Sequence, residues 1–355
     1  SVRSFVANMP KNQNEFVTFF EALVAKELPF VLFRLPKTQE IVLYQQRDST
    51  HHRSKTLTEN GFVFAPFQAK ESYTYIPNQL ETRFVVLQNP IPYLANNTVQ
   101  AQNKSYYMEL IDAAKKTITQ SSLQKVVVSR EHKQEFSGSI AASFLKLTHA
   151  YPNAMVYYWS HPHTGDWMGA TPETLLDIQN GVCKTMALAG TFPFDENKEP
   201  SWTSKELDEQ QMVTDFIQTQ LQRIFSKDSI YVSPTYTKRA GNLVHLCANF
   251  EVPLGKATAL DIVRLLHPTP AVAGVPVKES LAFLSNYERH DRKYYAGILG
   301  PIANNSVNLF VNLRCAEVTQ NQITLYVGGG ITAKSHPEME WTESQRKAET
   351  LLNVL

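Results

Sequence analysis

Cysteine is scarce in this sequence: Cys183, Cys247 and Cys315 are the only three among 355 residues. They are odd in number, far apart and outside any C-x-x-C spacing, which argues against both a disulfide framework and a thiolate zinc site. A reducing, cytoplasmic setting is the simple expectation. Long apolar runs are missing too. Nothing approaches the ~18 residues needed to span a bilayer, and the opening SVRSFVANMPKNQNEF lacks the basic-then-apolar order of an export signal. Nor is there an excess of one charge: 34 Lys and Arg face 33 Asp and Glu, so no net field draws the chain to nucleic acid or an anionic membrane. Any charged ligand has to be recognised locally. Fixed-period repeats, low-complexity tracts and Gly/Ser linkers are also lacking, and the length suits one large domain or two ordinary ones.

The first hundred residues mix short apolar runs, such as PFVLFRLP and ETRFVVLQNP, with polar stretches, and read as scaffold. From Ser105 to Gln120, Met108, Ile111, Ala114 and Ile118 recur at helical spacing, and KVVVSR (Lys125 to Arg130) then reads as a strand. Turn signals follow at His163 to Asp166 and at Asn180-Gly181, a pair that supplies the positive φ angles of a tight hairpin. Thr203 to Phe225 carries one apolar stripe of Val213, Phe216, Ile217, Leu221 and Ile224, and is predicted to be a helix. The stretch ILGPIANNSVNLFVNLRCAEVTQNQITLYVGGG predicts three strands joined by Asn-rich turns, with a last helix from Pro337 onward. Antiparallel hairpins with helices between them indicate an α+β fold.

The end of the chain, YVGGGITAKSHPEMEWTESQRKAETLL, holds the densest signal. Gly328, Gly329 and Gly330 fit a GxGxxA dinucleotide fingerprint only nominally, because the helix, second strand and acidic residue of a Rossmann unit do not follow. Three glycines allow close backbone approach to a ligand carboxylate, or else a tight strand exit. Glu340 and Glu343, with Lys347 one turn on, share a helix face, and Glu206 and Glu209 repeat the spacing in the Thr203 helix. Each pair either complements a helix dipole or, if both converge, holds a hard divalent cation such as magnesium.

These stretches resemble the chorismate-utilising enzymes, and within them the isochorismate synthase branch. The resemblance covers Ser105 to Leu355 and rests on KVVVSR, ATPETLL (Ala170 to Leu176), ALAGTFPF (Ala187 to Phe194), SKELDEQQMV (Ser204 to Val213), LLHPTPAVAGVP (Leu265 to Pro276), ERHDRKYYAGILG (Glu288 to Gly300), NLRCAEV (Asn312 to Val318) and the glycine-glutamate stretch. It implies two large antiparallel β-sheets packed together with helices outside, one structural domain in which residues 105–355 bind chorismate and residues 1–104 are a variable part of the same fold. It also implies magnesium as cofactor, with Glu209 and Glu343 as direct ligands and Glu206 and Glu340 in support. Lys125 would be the base that activates water and Glu173 the acid that protonates the departing hydroxyl. Arg314, expected on a strand NLFVNLR, would grip a substrate carboxylate with Lys347 beside it. Gly190, Thr191, His245, Ala271, Val272, Tyr295 and the three glycines would line the pocket. On the residues alone, Lys125 is equally a solvated strand-end lysine, Glu173 a turn residue, Arg314 a surface cation, and His245 and Tyr295 core residues.

Two positions sort the branches. The anthranilate branch usually has glutamine where this chain has Lys125, and the aminodeoxychorismate branch a reactive lysine where it has Ala189, so the resemblance implies water rather than ammonia as nucleophile. A monomer without a glutaminase partner is expected, its product feeding menaquinone or siderophore synthesis. Salicylate synthases share Lys125 and Glu173 and are the alternative; an inactive metal-binding relative is the reading from another class. Gln210 stands where relatives often have histidine, and Lys293 where many have glycine.

Overall fold

The computed structural model describes residues 9–69, 71–88 and 99–355. The first eight residues of the opening stretch and the end of ETRFVVLQNP lie outside the described residues. All strand pairs within the sheets are antiparallel, and the strands form two large sheets. The nine-stranded sheet runs, edge to edge, Gly274–Val275, Lys125–Glu135, Gln322–Thr332, Cys315–Thr319, Gly165–Thr171, Met155–His161, Phe30–Arg34, Ile41–Gln45 and Glu81–Phe84. In the ten-stranded sheet the order is Tyr231–Val232, Leu243–Pro253, Val182–Pro193, Thr174–Gln179, Ser306–Val311, Ile298–Ala303, Gly61–Ala65, Tyr73–Pro77 and Arg53–Ser54, with Tyr236–Ala240 also paired to Leu243–Pro253. The first hundred residues therefore supply strands to both sheets.

Apolar alternation places Val31, Phe33, Val42 and Tyr44 on one inner face and Phe62 and Phe64 on the other. Phe33 and Phe62 meet with ring centroids 4.9 Å apart, and Phe64 stacks on Trp159 at 4.7 Å, so the rings lock the sandwich interior. The opposite face of the nine-stranded sheet is covered by Gln13–Ala25 and Ile140–Ala150, through Phe16, Phe20 and Phe144. At its other end, Lys104–Gln120, Val277–Tyr287 and Pro337–Leu352 lie on the Lys125 and glycine strands, while Ser204–Leu221 covers the ten-stranded sheet.

The sequence signals hold at several points. The Ser105 helix spans Lys104–Gln120, and the strand begun by KVVVSR continues to Glu135. Asn180 and Gly181 take φ of 49° and 76° in the turn between Thr174–Gln179 and Val182–Pro193, the double positive φ that Asn-Gly tolerates. Pro337 opens the last helix in its first turn, where no backbone N–H is needed.

The three-strand reading of the C-terminal stretch is corrected to four: Ile298–Ala303, Ser306–Val311, Cys315–Thr319 and Gln322–Thr332. The run NLFVNLRCAEV breaks at Asn312 to Arg314 because the chain there leaves the ten-stranded sheet and enters the nine-stranded one. Arg314 is consequently not on a strand. Its φ is 48°, and its carbonyl accepts from Ala170 N at 3.1 Å. The glycines are corrected in the other direction: all three lie inside the strand Gln322–Thr332, paired with Ser129, Val128 and Val127, and none has a positive φ.

Candidate active site

Gly330 pairs with Val127 and Thr332 with Lys125, so the glycine strand and the lysine strand run side by side. Directly after Thr332 the chain turns, with Ser335 Oγ accepting from Thr332 N at 2.9 Å, and the helix Pro337–Leu352 folds back over its own strand. That return puts Glu340 and Glu343 above the glycines. Strand Cys315–Thr319 pairs with the glycine strand only as far as Leu325, so the edge from Tyr326 onward opens into a cavity.

The helix Ser204–Leu221 approaches from the other sheet and brings Glu209 to the same spot. A side chain on Gly330 would overlap Glu209 Oε1 and stand 2.8 Å from Lys125 Cε, and one on Gly329 would stand 3.3 Å from Glu340 Oε2 and 3.7 Å from Glu343 Oε1. The glycines thus leave room for three carboxylates from two helices. Glu206 does something else. It closes a capping box at the start of its helix, its carboxylate accepting from Thr203 N at 3.0 Å and from the Thr203 hydroxyl.

Lysines neutralise the cluster. Lys205 Nζ stands 3.2 Å from Glu209 Oε2 and 3.0 Å from Glu340 Oε1, Lys125 Nζ 3.2 Å from Glu209 Oε1, and Lys347 Nζ 2.9 Å from Glu343 Oε1 while donating to Gly328 O at 2.7 Å. Burial works to raise the Glu209 carboxyl, yet the ammoniums of Lys205 and Lys125 hold it down to about 2. Burial, then the nearby Glu343 charge, pushes Glu340 up to about 7. On Lys125, which is fully buried, burial outweighs the attraction of Glu209 and moves the ammonium below its ordinary value. Its geometry toward Glu209 is that of an ion pair without hydrogen-bond alignment.

Glu173 lies across the cavity on the turn between Gly165–Thr171 and Thr174–Gln179. It is 3 % exposed, and burial raises its carboxyl to about 8 against the opposing pull of Lys125 and Lys238. Lys238 Nζ donates to Pro172 O at 3.3 Å, just before Glu173. Arg314 is held between His245 Nε2, at 2.5 Å, and Ala240 O, at 3.1 Å. His245 Nδ1 reaches Gly190 O at 2.7 Å, which makes Nδ1 the donor and leaves Nε2 to accept from the guanidinium. Gly190 has φ 75° at the bulge between Ala189 and Phe192.

One cavity is lined by Glu173, Gly190, Thr191, Glu209, His245, Ala271, Val272, Tyr295, Arg314, the three glycines, Glu343 and Lys347. Three expected members stand off its wall. Lys125 lies beneath it, under Glu209 and Gly330, and Glu340 with Glu206 faces a second, wider cavity that also touches Glu343. A lysine whose ammonium is disfavoured by burial, a carboxyl raised by burial, an arginine fork and an acidic cluster form a site able to bind a small multiply charged anion and to move two protons on it.

Comparison with known proteins gives the family and the fold. Residues 25–355 match the family described as chorismate binding enzyme. The chain belongs to that family. Isochorismate synthase MenF of Escherichia coli K12 is 30% identical over 279 residues, covering 75% of this chain and 64% of that relative. The chain therefore spans less than two thirds of that relative's length. By structure, the menaquinone-specific isochorismate synthase MenF from Escherichia coli aligns with a TM-score of 0.77 at 24% identity, covering 92% of this chain and 88% of that one. Anthranilate synthase component I from Streptococcus pneumoniae TIGR4 aligns at 0.69 and 19% identity, covering 91% and 92%. At these identities the two structures establish the fold: two large antiparallel sheets with helices outside.

In this member of the chorismate binding enzymes, two lysines at the site, Lys205 and Lys238, were not singled out by the sequence. Lys205 was legible as a lysine four residues before Glu209 on one helix face. Lys238 had no local signal. Gln210 donates to Ala187 O at 3.3 Å and Thr214 Oγ1 at 2.9 Å and so ties its helix to the ten-stranded sheet. Lys293 has φ 52°, the backbone that favours glycine there.

Among the described residues, no three Glu, Asp, His or Cys side chains already stand in metal-binding geometry. The donor set nevertheless fits a hard divalent cation. Glu209, Glu340 and Glu343 bring carboxylate oxygens together beside the glycines, and Glu340 Oε2 is buried with no hydrogen-bond partner among the described residues.

Proposed function

We propose that this enzyme isomerises chorismate to isochorismate with the help of magnesium. The observation that carries the reading is a pair of buried groups at one cavity: Lys125, under Glu209 and Gly330, whose ammonium burial disfavours, and Glu173 on the wall, whose carboxyl burial raises to about 8. The reaction adds water at C2 of the ring and expels the hydroxyl at C4. Lys125 takes a proton from the attacking water as the C2–O bond forms and the ring double bonds shift. Glu173 delivers its proton to the C4 oxygen as that bond breaks, so one water enters and one leaves. Arg314, oriented by His245, binds one substrate carboxylate through its planar fork, with Lys347 adding charge. Glu209, Glu340 and Glu343 would hold the magnesium ion, which supplies charge neutralisation for a substrate carboxylate.

The similarity to isochorismate synthases and the lysine at position 125 support water as nucleophile. The test is to incubate the protein with chorismate and magnesium and to identify products by chromatography and mass. Isochorismate without pyruvate supports the reading, and salicylate plus pyruvate would replace it with a salicylate synthase. No turnover would leave a metal-binding relative. Lys125→Met should bind chorismate yet lose about 10²- to 10⁴-fold in kcat; undiminished turnover would remove Lys125 as the base.

A further inference from the structure

The reaction described above gives Lys205 no part, yet its ammonium is placed inside the acidic cluster. Its side chain is 12 % exposed and bridges two helices, touching Glu209 on its own helix and Glu340 on the last. We propose that Lys205 is the chain's own counter-cation for the metal site: it holds Glu209 and Glu340 together when no divalent ion is bound and withdraws when one enters. The proposal rests on the magnesium reading above and concerns what competes with the ion.

Three facts support it. The two oxygens that Lys205 contacts, Glu209 Oε2 and Glu340 Oε1, belong to two of the three carboxylates that would ligate the ion. Magnesium takes carboxylate oxygens at roughly 2.0–2.1 Å, and an ammonium left 3 Å from the same oxygens would stand against the ion with like charge. The two cations exclude each other. Moreover, there is somewhere for the lysine to go. It lines the second cavity, of about 540 Å³, whose wall also includes Glu206. Finally, Glu340 keeps one oxygen, Oε2, without a partner among the described residues while Lys205 holds the other. An ammonium leaves this cluster incompletely satisfied, and an ion of higher charge and coordination number would use the remaining oxygen.

A lysine in this role weakens metal binding, because each ion must displace a resident cation. Magnesium titrated calorimetrically into the full chain without substrate tests it directly. Lys205→Met, which removes the competitor, should bind magnesium about tenfold tighter, with a lower melting temperature than wild type in chelator and a larger rise on adding magnesium. Lys205→Arg, whose fork grips two carboxylates more firmly, should bind magnesium more weakly than wild type. A folded Lys205→Met with equal or weaker affinity would overturn the proposal, and should that variant fail to fold, Lys205→Arg with unchanged affinity would do so instead. If wild type and both variants take up no magnesium, the metal reading itself fails, a result distinct from binding that ignores residue 205.

Discussion

Arg314 donates to His245 Nε2 at 2.5 Å, and the same imidazole spends its other nitrogen on Gly190 O. Burial, reinforced by the Arg314 charge, keeps His245 well below its ordinary value, so it is neutral and remains an acceptor. Protonating or deleting the ring frees the guanidinium from one side. His245→Ala should raise KM for chorismate and lower kcat/KM by about 10- to 100-fold with the fold intact. Steady-state kinetics decide this; an unchanged KM would mean that Ala240 O alone orients the arginine.

Glu173 gives the pH dependence a definite sign. Its carboxyl is raised by burial from 4.5 to about 8, so it is protonated, and competent as an acid, below that value. Activity should fall as pH rises through about 8. Between 4.5 and about 8 folding takes up a proton at this site, so its contribution to stability is full below 4.5 and is lost as pH climbs through the window. Glu173→Gln should lose roughly 10²- to 10⁴-fold in kcat while gaining thermal stability relative to wild type as pH increases from 5 to 9. Parallel melting curves across that range would contradict the assignment.

Lys238 modulates that limb. It contacts Pro172 O and Met186 Sδ, and it is the second cation, after Lys125, that draws the Glu173 carboxyl down against burial. Tyr295 and Cys247 also face this region from neighbouring elements. Lys238→Met keeps the volume and removes the charge. The alkaline fall in kcat should move to higher pH, read from a pH–rate profile against wild type; a limb that stays in place removes Lys238 from the proton balance.

Gly330 is the tightest of the three glycines against the cluster. A methyl there would overlap Glu209 Oε1 and crowd Lys125 Cε. Gly330→Ala should cost about 1–3 kcal/mol of stability by overpacking and should weaken magnesium binding, both measurable by thermal and calorimetric titration.

Local signals carried much of this far. Helical spacing marked Lys104–Gln120, Asn180-Gly181 marked its hairpin, and the glutamate pairs included the three, Glu209, Glu340 and Glu343, that the fold brings together beside the glycines. The break at Asn312 to Arg314 was invisible, because nothing in a period of two says which sheet a strand joins. The same limit hid Lys238, whose nearness to Glu173 comes only from pairing between remote strands. Glu206 illustrates the reverse: its Thr203-x-x-Glu206 spacing is a helix-start signature, and the capping geometry follows that local rule.

Only three residues join Ser306–Val311 in one sheet to Cys315–Thr319 in the other, and Arg314 is the last of them. A bridge that short has no slack. Sliding one layer of the sandwich by even a fraction of a residue would carry the guanidinium with it, so lengthening this link by a single glycine should misalign the anion grip while leaving both layers folded.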